Sequence, residues 1–195
     1  MSFATPISPW PASAVAEAFV IFTMSEPGQS LWMKPTGSPG GATRFGITAA
    51  VARRHGYTGP MRTLPAAIAK EIYRADYWDA QSLDAVGAQS FKVAFELFDT
   101  GVNMGISQAA SFLQMSLNAF NRRGVDYPDI EVDGEIGPAT LDALDAFLRL
   151  RHKDGETVLL RALNALQGAA YIELAERREK DERFVFGWFL QRVKI

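Results

Sequence analysis

SEPGQSLWMKPTGSPGGATRFGIT, running from Ser25 to Thr48, can be neither a helix nor a central strand. Each Pro removes an amide donor, and each Gly raises the entropy cost of any fixed conformation. The stretch therefore reads as an ordered loop or a short β-hairpin. A loop this long inside a compact chain is usually functional or disordered, and Leu31, Trp32, Met33, Phe45 and Ile47 give it apolar surface with which to pack. At its head Glu26 follows the apolar run Ala18 to Met24, which places a carboxyl at the C-terminal end of a helix. The partial negative charge of the free carbonyls there disfavours ionisation and raises the carboxyl pKa. A carboxylic acid kept partly protonated suits general-acid cleavage of a glycosidic bond. Position alone favours a solvated carboxylate at a helix end.

Outward from this stretch the chain reads as helices. Met1 to Pro11 is Pro-rich, with Phe3 and Trp10 as anchors, and the spacing of Val15, Phe19 and Phe22 predicts a helix over Ala12 to Ser25. Thr48 is an N-cap for Ala49 to His55, which Gly56 ends, and Thr63 caps a further helix with Pro65 in its first turn. That helix ends at Tyr77 and Trp78, and its Tyr73 fits either the core or a platform for a sugar ring. Gln89 to Met104 is apolar nearly all round, so Asp99 and Asn103, on one face, stand out as a hydrogen-bond pair or as the polar floor of a cleft. Ser107 is expected to cap Gln108 to Asn121. Two more helices, Pro138 to Arg151 and Glu156 to about Lys180, precede an aromatic terminal segment, Phe184 to Val193, expected to dock on the core. The expected class is mainly α, with a small β-hairpin or irregular lobe. No internal repeat or long linker divides the chain, so 1–195 reads as a single compact domain, with a catalytic lobe at 12–80 and a helical lobe at 81–195.

Several motifs resemble one family. Glu26-Pro27-Gly28, then Pro39-Gly40-Gly41-Ala42-Thr43, then Phe45-Gly46-Ile47-Thr48 resemble the phage-type N-acetylmuramidases of glycoside hydrolase family 108, as does Phe98-Asp99-Thr100-Gly101-Val102-Asn103-Met104-Gly105. Val132-Asp133-Gly134-Glu135-Ile136-Gly137-Pro138-Ala139-Thr140 resembles the signature of helical peptidoglycan-binding modules, and Gly187-Trp188 with Arg192 matches the family's closing residues. The resemblance implies a lysozyme-like fold and cleavage of the β-1,4 bond between N-acetylmuramic acid and N-acetylglucosamine. It implies Glu26 as catalytic acid; in a mechanism built on that acid, Thr43 and Ser38 are the expected groups to position water, and Trp32, Phe45, Tyr73, Asp99 and Asn103 the expected substrate contacts. Pro27 stands where the family has Gly, and Ser38 where it has Asp. Counting back without gaps from Pro39-Gly40-Gly41 puts the catalytic position at Gln29 instead; Glu26 is preferred, because Gln cannot donate a proton. With no second carboxylate in the loop, inversion is the expected stereochemistry, although Asp99 could act as that carboxylate. A silent wall-binding or structural module is the competing reading.

Composition narrows the alternatives. With 48% hydrophobic and 22% charged residues the chain is ordinary for a globular protein, and a formal net charge of −2 makes no case for nucleic acid. The absence of Cys removes a thiol nucleophile and thiolate metal sites, and two His, His55 and His152, are too few for a zinc centre. No cofactor or metal is implied. Pro6, Pro9, Pro11, Ser13 and Glu17 interrupt the apolar N-terminal run, so neither a secretory signal nor a membrane span is expected. The expected protein is a monomer, made in the cytoplasm and acting on peptidoglycan strands after release or delivery.

Overall fold

The computed structural model describes residues 32–33 and 42–193. Glu26, Gln29, Ser38, the expected helix over Ala12 to Ser25, the anchors Phe3 and Trp10, and Pro39-Gly40-Gly41 lie outside the described residues, and of Trp32 only the backbone is described. The chain falls into two compact units, divided between Trp78 and Asp79.

In the first unit, β1 (Trp32–Met33), β2 (Thr43–Arg44) and β3 (Ile47–Thr48) form a three-stranded antiparallel sheet in the order β1-β2-β3. Residues 32–33 and 43–48 of the Gly/Pro-rich stretch thus pair as a small sheet, and Thr43–Arg44 is its central strand, which corrects the expectation that the stretch holds none: neither residue is Gly or Pro, so both can take part in the ladder. The Thr48 side chain accepts from the Val51 amide at 3.3 Å and starts α1 (Ala49–Arg54), and Gly56, at φ +83°, follows its end. The helix α2 (Ala66–Tyr73) begins at Pro65 without a side-chain cap, because Thr63 instead closes the 3₁₀ turn Met61–Thr63 by donating to the Pro60 carbonyl. A π-helical turn, Arg74–Trp78, continues α2. Among the described residues of this unit, Ile47, Ala52, Met61, Leu64, Ala69, Ile72, Tyr73 and Trp78 form the buried apolar core.

The second unit is built of helices, with an irregular connection over 121–137. After a 3₁₀ turn, Asp79–Gln81, come α3 (Leu83–Gln89), α4 (Phe91–Met104), α5 (Ile106–Phe120), α6 (Pro138–Arg177) and α7 (Glu182–Arg192). The expected helix from Gln89 starts two residues later. Ser90 is extended at φ −155° and ψ 111°, separates α3 from α4, and caps α4 by accepting from the Val93 amide at 3.2 Å. Nor is α4 apolar all round in its packing: Val93, Ala94, Leu97 and Phe98 are buried, while Phe91, Phe95 and Val102 are half-buried. Ser107 does not cap α5; Gly105, at φ +95°, ends α4 and starts α5 two residues early. The two helices expected after Pro138 are the two segments of α6, interrupted at His152 (φ 49°, ψ −138°). Leu97, Leu113, Leu117, Leu144, Leu159 and Leu163 meet in the core of this unit.

The terminal helix docks by one face only. Trp188 stacks on Tyr171 with ring centroids 4.9 Å apart, and a Cβ at Gly168 would meet Phe189 at 3.3 Å, whereas Phe186 and Leu190 are exposed. Among the described residues no helix is long and apolar enough to cross a membrane.

Candidate functional site

Of the site candidates in the first unit, Thr43 and Phe45 lie on the β2–β3 hairpin. Arg44 pairs with Ile47, so the connection is two residues, Phe45 and Gly46, both at positive φ (54° and 73°). This is the handedness of the tight turns that match strand twist, and it normally calls for Asn-Gly or Gly-Gly. Phe45 is thus a bulky residue in a left-handed conformation, and its neighbours hold it there. The Tyr73 hydroxyl donates to the Phe45 carbonyl at 2.9 Å, and the Arg44 guanidinium lies 5.0 Å from the Phe45 ring centroid while donating to the Arg62 carbonyl. Gly46 is required twice, by its φ and because a Cβ there would meet the Tyr73 hydroxyl at 2.9 Å. Thr43 lies opposite both Met33 and Thr48 and is half-buried on the middle strand.

Tyr73 is buried and stacks on Tyr77, 5.6 Å between centroids. Beside Tyr77 on the π-helical turn, Asp76 accepts from Arg54 Nη2 at 3.0 Å and lies 2.9 Å from His55 Nε2. Burial, and then the Asp76 charge, pushes the Tyr77 hydroxyl above its ordinary value, so Tyr77 stays a neutral donor. The carboxylate partner of His55 lies 21 residues on, beyond any local spacing.

In the second unit Asp99 and Asn103 do share a face of α4. Asn103 donates to the Asp99 carbonyl at 2.7 Å and is exposed. The Asp99 carboxylate binds Arg192 Nη1 of α7 at 2.7 Å, and Gln167 of α6 reaches Asp99 at 3.4 Å and Thr100 Oγ1 at 3.0 Å. With side-chain exposures of 20% and 11%, Asp99 and Arg192 form a part-buried ion pair between α4 and α7, to which Gln167 adds α6.

The peptidoglycan-module signature is held by a feature of α5 that periodicity alone would assign to a polar face. Gln114, Asn118 and Asn121 follow one another at four and three residues, on one side of the helix. Gln114, buried, donates to Asp133 Oδ1 at 2.7 Å and the Glu135 carbonyl at 3.0 Å, and accepts from the Gly134 amide at 3.0 Å. Asn118 brackets Ile130 through both its amide and its carbonyl, and Asn121 binds Asp129 and the Gly124 amide. Three carboxamides thus satisfy the polar groups of a connection that has no regular structure. These contacts hold Asp133 Oδ1 against Gln114 Nε2 and the Glu135 amide, and they draw its pKa below the ordinary carboxylate value.

Residues 23–105 match the family model for glycosyl hydrolase 108, and residues 108–193 match that for a predicted peptidoglycan domain. No curated protein matches the sequence. Among solved structures, Brucella abortus SagA has a similar fold: TM-score 0.56 at 20% identity, covering 94% of this chain and 98% of that one.

Proposed function

The chain carries a glycosyl hydrolase 108 region followed by a predicted peptidoglycan domain, and from that premise we propose that this peptidoglycan hydrolase is an N-acetylmuramidase. It cleaves the β-1,4 bond between N-acetylmuramic acid and N-acetylglucosamine. The observation that carries the reading is the family match across 23–105, which includes Glu26 and the Gly46-Ile47-Thr48 hairpin edge.

In this mechanism Glu26 protonates the leaving glycosidic oxygen as water attacks the anomeric carbon. Thr43, and with it Ser38, orients that water through a hydroxyl. The water between catalytic group and sugar makes inversion the expected outcome. Trp32 and Phe45 offer ring faces to the glycan, and Tyr73 fixes the Phe45 carbonyl that shapes the turn. Asp99 and Asn103 are assigned to substrate contact from α4.

The test is Glu26→Gln against purified sacculi. General-acid loss typically costs about two to four orders of magnitude in rate, so the variant releases no muropeptides while the parent releases fragments whose new reducing end is N-acetylmuramic acid. A new reducing N-acetylglucosamine would assign the other bond. Full activity in Glu26→Gln would remove Glu26 from the mechanism, and binding to sacculi without cleavage by the parent would make the chain a silent wall-binding module.

A further inference from the structure

Away from the residues assigned to hydrolysis, the second unit has a concavity of about 540 Å³ where the end of α5 meets the break in α6. Phe120 and Phe147 line it, stacked with centroids 5.5 Å apart, and Leu150 and Val158 line it from α6 while remaining 49% and 40% exposed. Its charged groups are Arg122, Arg151 and Asp154.

The backbone beside it is unusual. Arg122 and Arg123 take φ 54° and 61°, Gly124 takes 75°, and His152 takes 49° within α6. Left-handed conformations at non-Gly residues cost on the order of 1–3 kcal/mol each and persist only where surrounding contacts hold them. At Arg122 the contacts are electrostatic. Arg122 Nε reaches both oxygens of Asp126 at 2.9 and 3.0 Å, and Arg151 Nη2 reaches Asp126 Oδ2 and the Phe120 carbonyl at 3.0 Å each. The Asp126 side chain is 6% exposed, against 64% and 39% for the two arginines. Two guanidinium groups therefore share one buried carboxylate. The Asp126 carboxylate accounts for one of their two charges and Asp154, the carboxylate in the lining, balances the other, so the concavity presents separated charges of both signs beside an apolar surface.

We propose that this cavity binds the stem peptides of peptidoglycan, with a free carboxylate on the Arg122 and Arg151 pair and an aliphatic side chain between Leu150 and Val158. Asp154 receives an ammonium group of the same peptide. The inference rests on the reading of the protein as a peptidoglycan hydrolase. Charge decides between the two parts of that polymer: the amino-sugar backbone offers neutral hydroxyls and acetamides, whereas the stem peptide offers carboxylates, an amine and methyl groups. A concave, mostly apolar site with a few placed charges fits the second.

The experiment titrates the full-length protein calorimetrically with a synthetic stem tetrapeptide containing a diamino acid, with the same peptide amidated at its carboxylates, and with an N-acetylglucosamine tetrasaccharide. The free tetrapeptide binds, the amidated one at least tenfold more weakly, and raised salt weakens the complex. The double variant L150Q/V158Q, which changes two exposed side chains, loses at least tenfold in affinity, and R122Q does the same. No tetrapeptide binding, or binding indifferent to both variants, overturns the proposal, as does saturation by the tetrasaccharide through the same residues. Release of muropeptides from sacculi is measured alongside. Cleavage without tetrapeptide binding sinks the cavity and leaves the hydrolase, whereas variant-sensitive tetrapeptide binding without cleavage keeps the cavity and sinks the hydrolase.

Discussion

Tyr73 shows how one hydroxyl can stabilise a backbone that its own sequence disfavours. Phe45 is a poor residue for a left-handed turn position, and the Tyr73 hydroxyl compensates by fixing its carbonyl. Tyr73→Phe keeps the ring that stacks on Tyr77 and removes the hydroxyl that fixes the Phe45 carbonyl, leaving that carbonyl to find water at a half-buried turn. The expected loss is about 1 kcal/mol in urea unfolding, with an unchanged m-value. A loss well under half of that would mean the turn is held by Ile47 and the sheet alone. At this scale the sequence was legible where chemistry is local: Thr48 before an apolar run is a cap signal, and the structure makes it one. Tyr73 read as core or sugar platform, and no spacing rule links it to a carbonyl 28 residues earlier.

The elements were legible to the extent that their boundaries depend on short-range signals. Gly56 and Gly105 mark helix ends by positive φ, and Pro138 opens α6 at a position where its missing amide costs nothing. Ser90 was misread as helix interior, because its role depends on a distant partner: its hydroxyl caps α4 and also donates to Glu156 at 2.8 Å. Lys92 binds the same carboxylate at 2.7 Å, so Glu156 ties the start of α4 to the second segment of α6. The Lys92 ammonium, and then the Ser90 hydroxyl, hold Glu156 below its ordinary value of 4.5. A depressed folded pKa contributes stability that is fully present above the unfolded value and is lost as pH falls through the folded one. Thermal midpoints should therefore drop as pH is lowered from about 5, and Glu156→Gln should flatten that part of the profile. An unchanged slope in the variant would assign the acid lability to other carboxylates.

At the scale of the molecule, the family boundary and the packing boundary do not coincide. The glycosyl hydrolase 108 match runs through residue 105, yet α4 belongs by its contacts to the unit that begins at Asp79. Asp99 is tied to Arg192 and Gln167, and Thr100 to Gln167, so the closing helices complete the environment of the most polar part of α4. Arg192 matched a family pattern in the sequence, but its partner 93 residues away was not legible, since an ion pair between distant helices leaves no periodic trace. A fragment of residues 108–193 lacks α3 and α4, and would expose the faces of α5 and α6 that bury Leu97 and Phe98. A fragment of residues 79–195 keeps them, along with the Ser90, Glu156 and Asp99 contacts. Expressed separately, the longer fragment should unfold cooperatively by circular dichroism and give dispersed amide resonances, and the shorter should do neither. If 108–193 folds alone with a cooperative transition, the peptidoglycan region is an independent module, and α4 is held chiefly by contacts outside it.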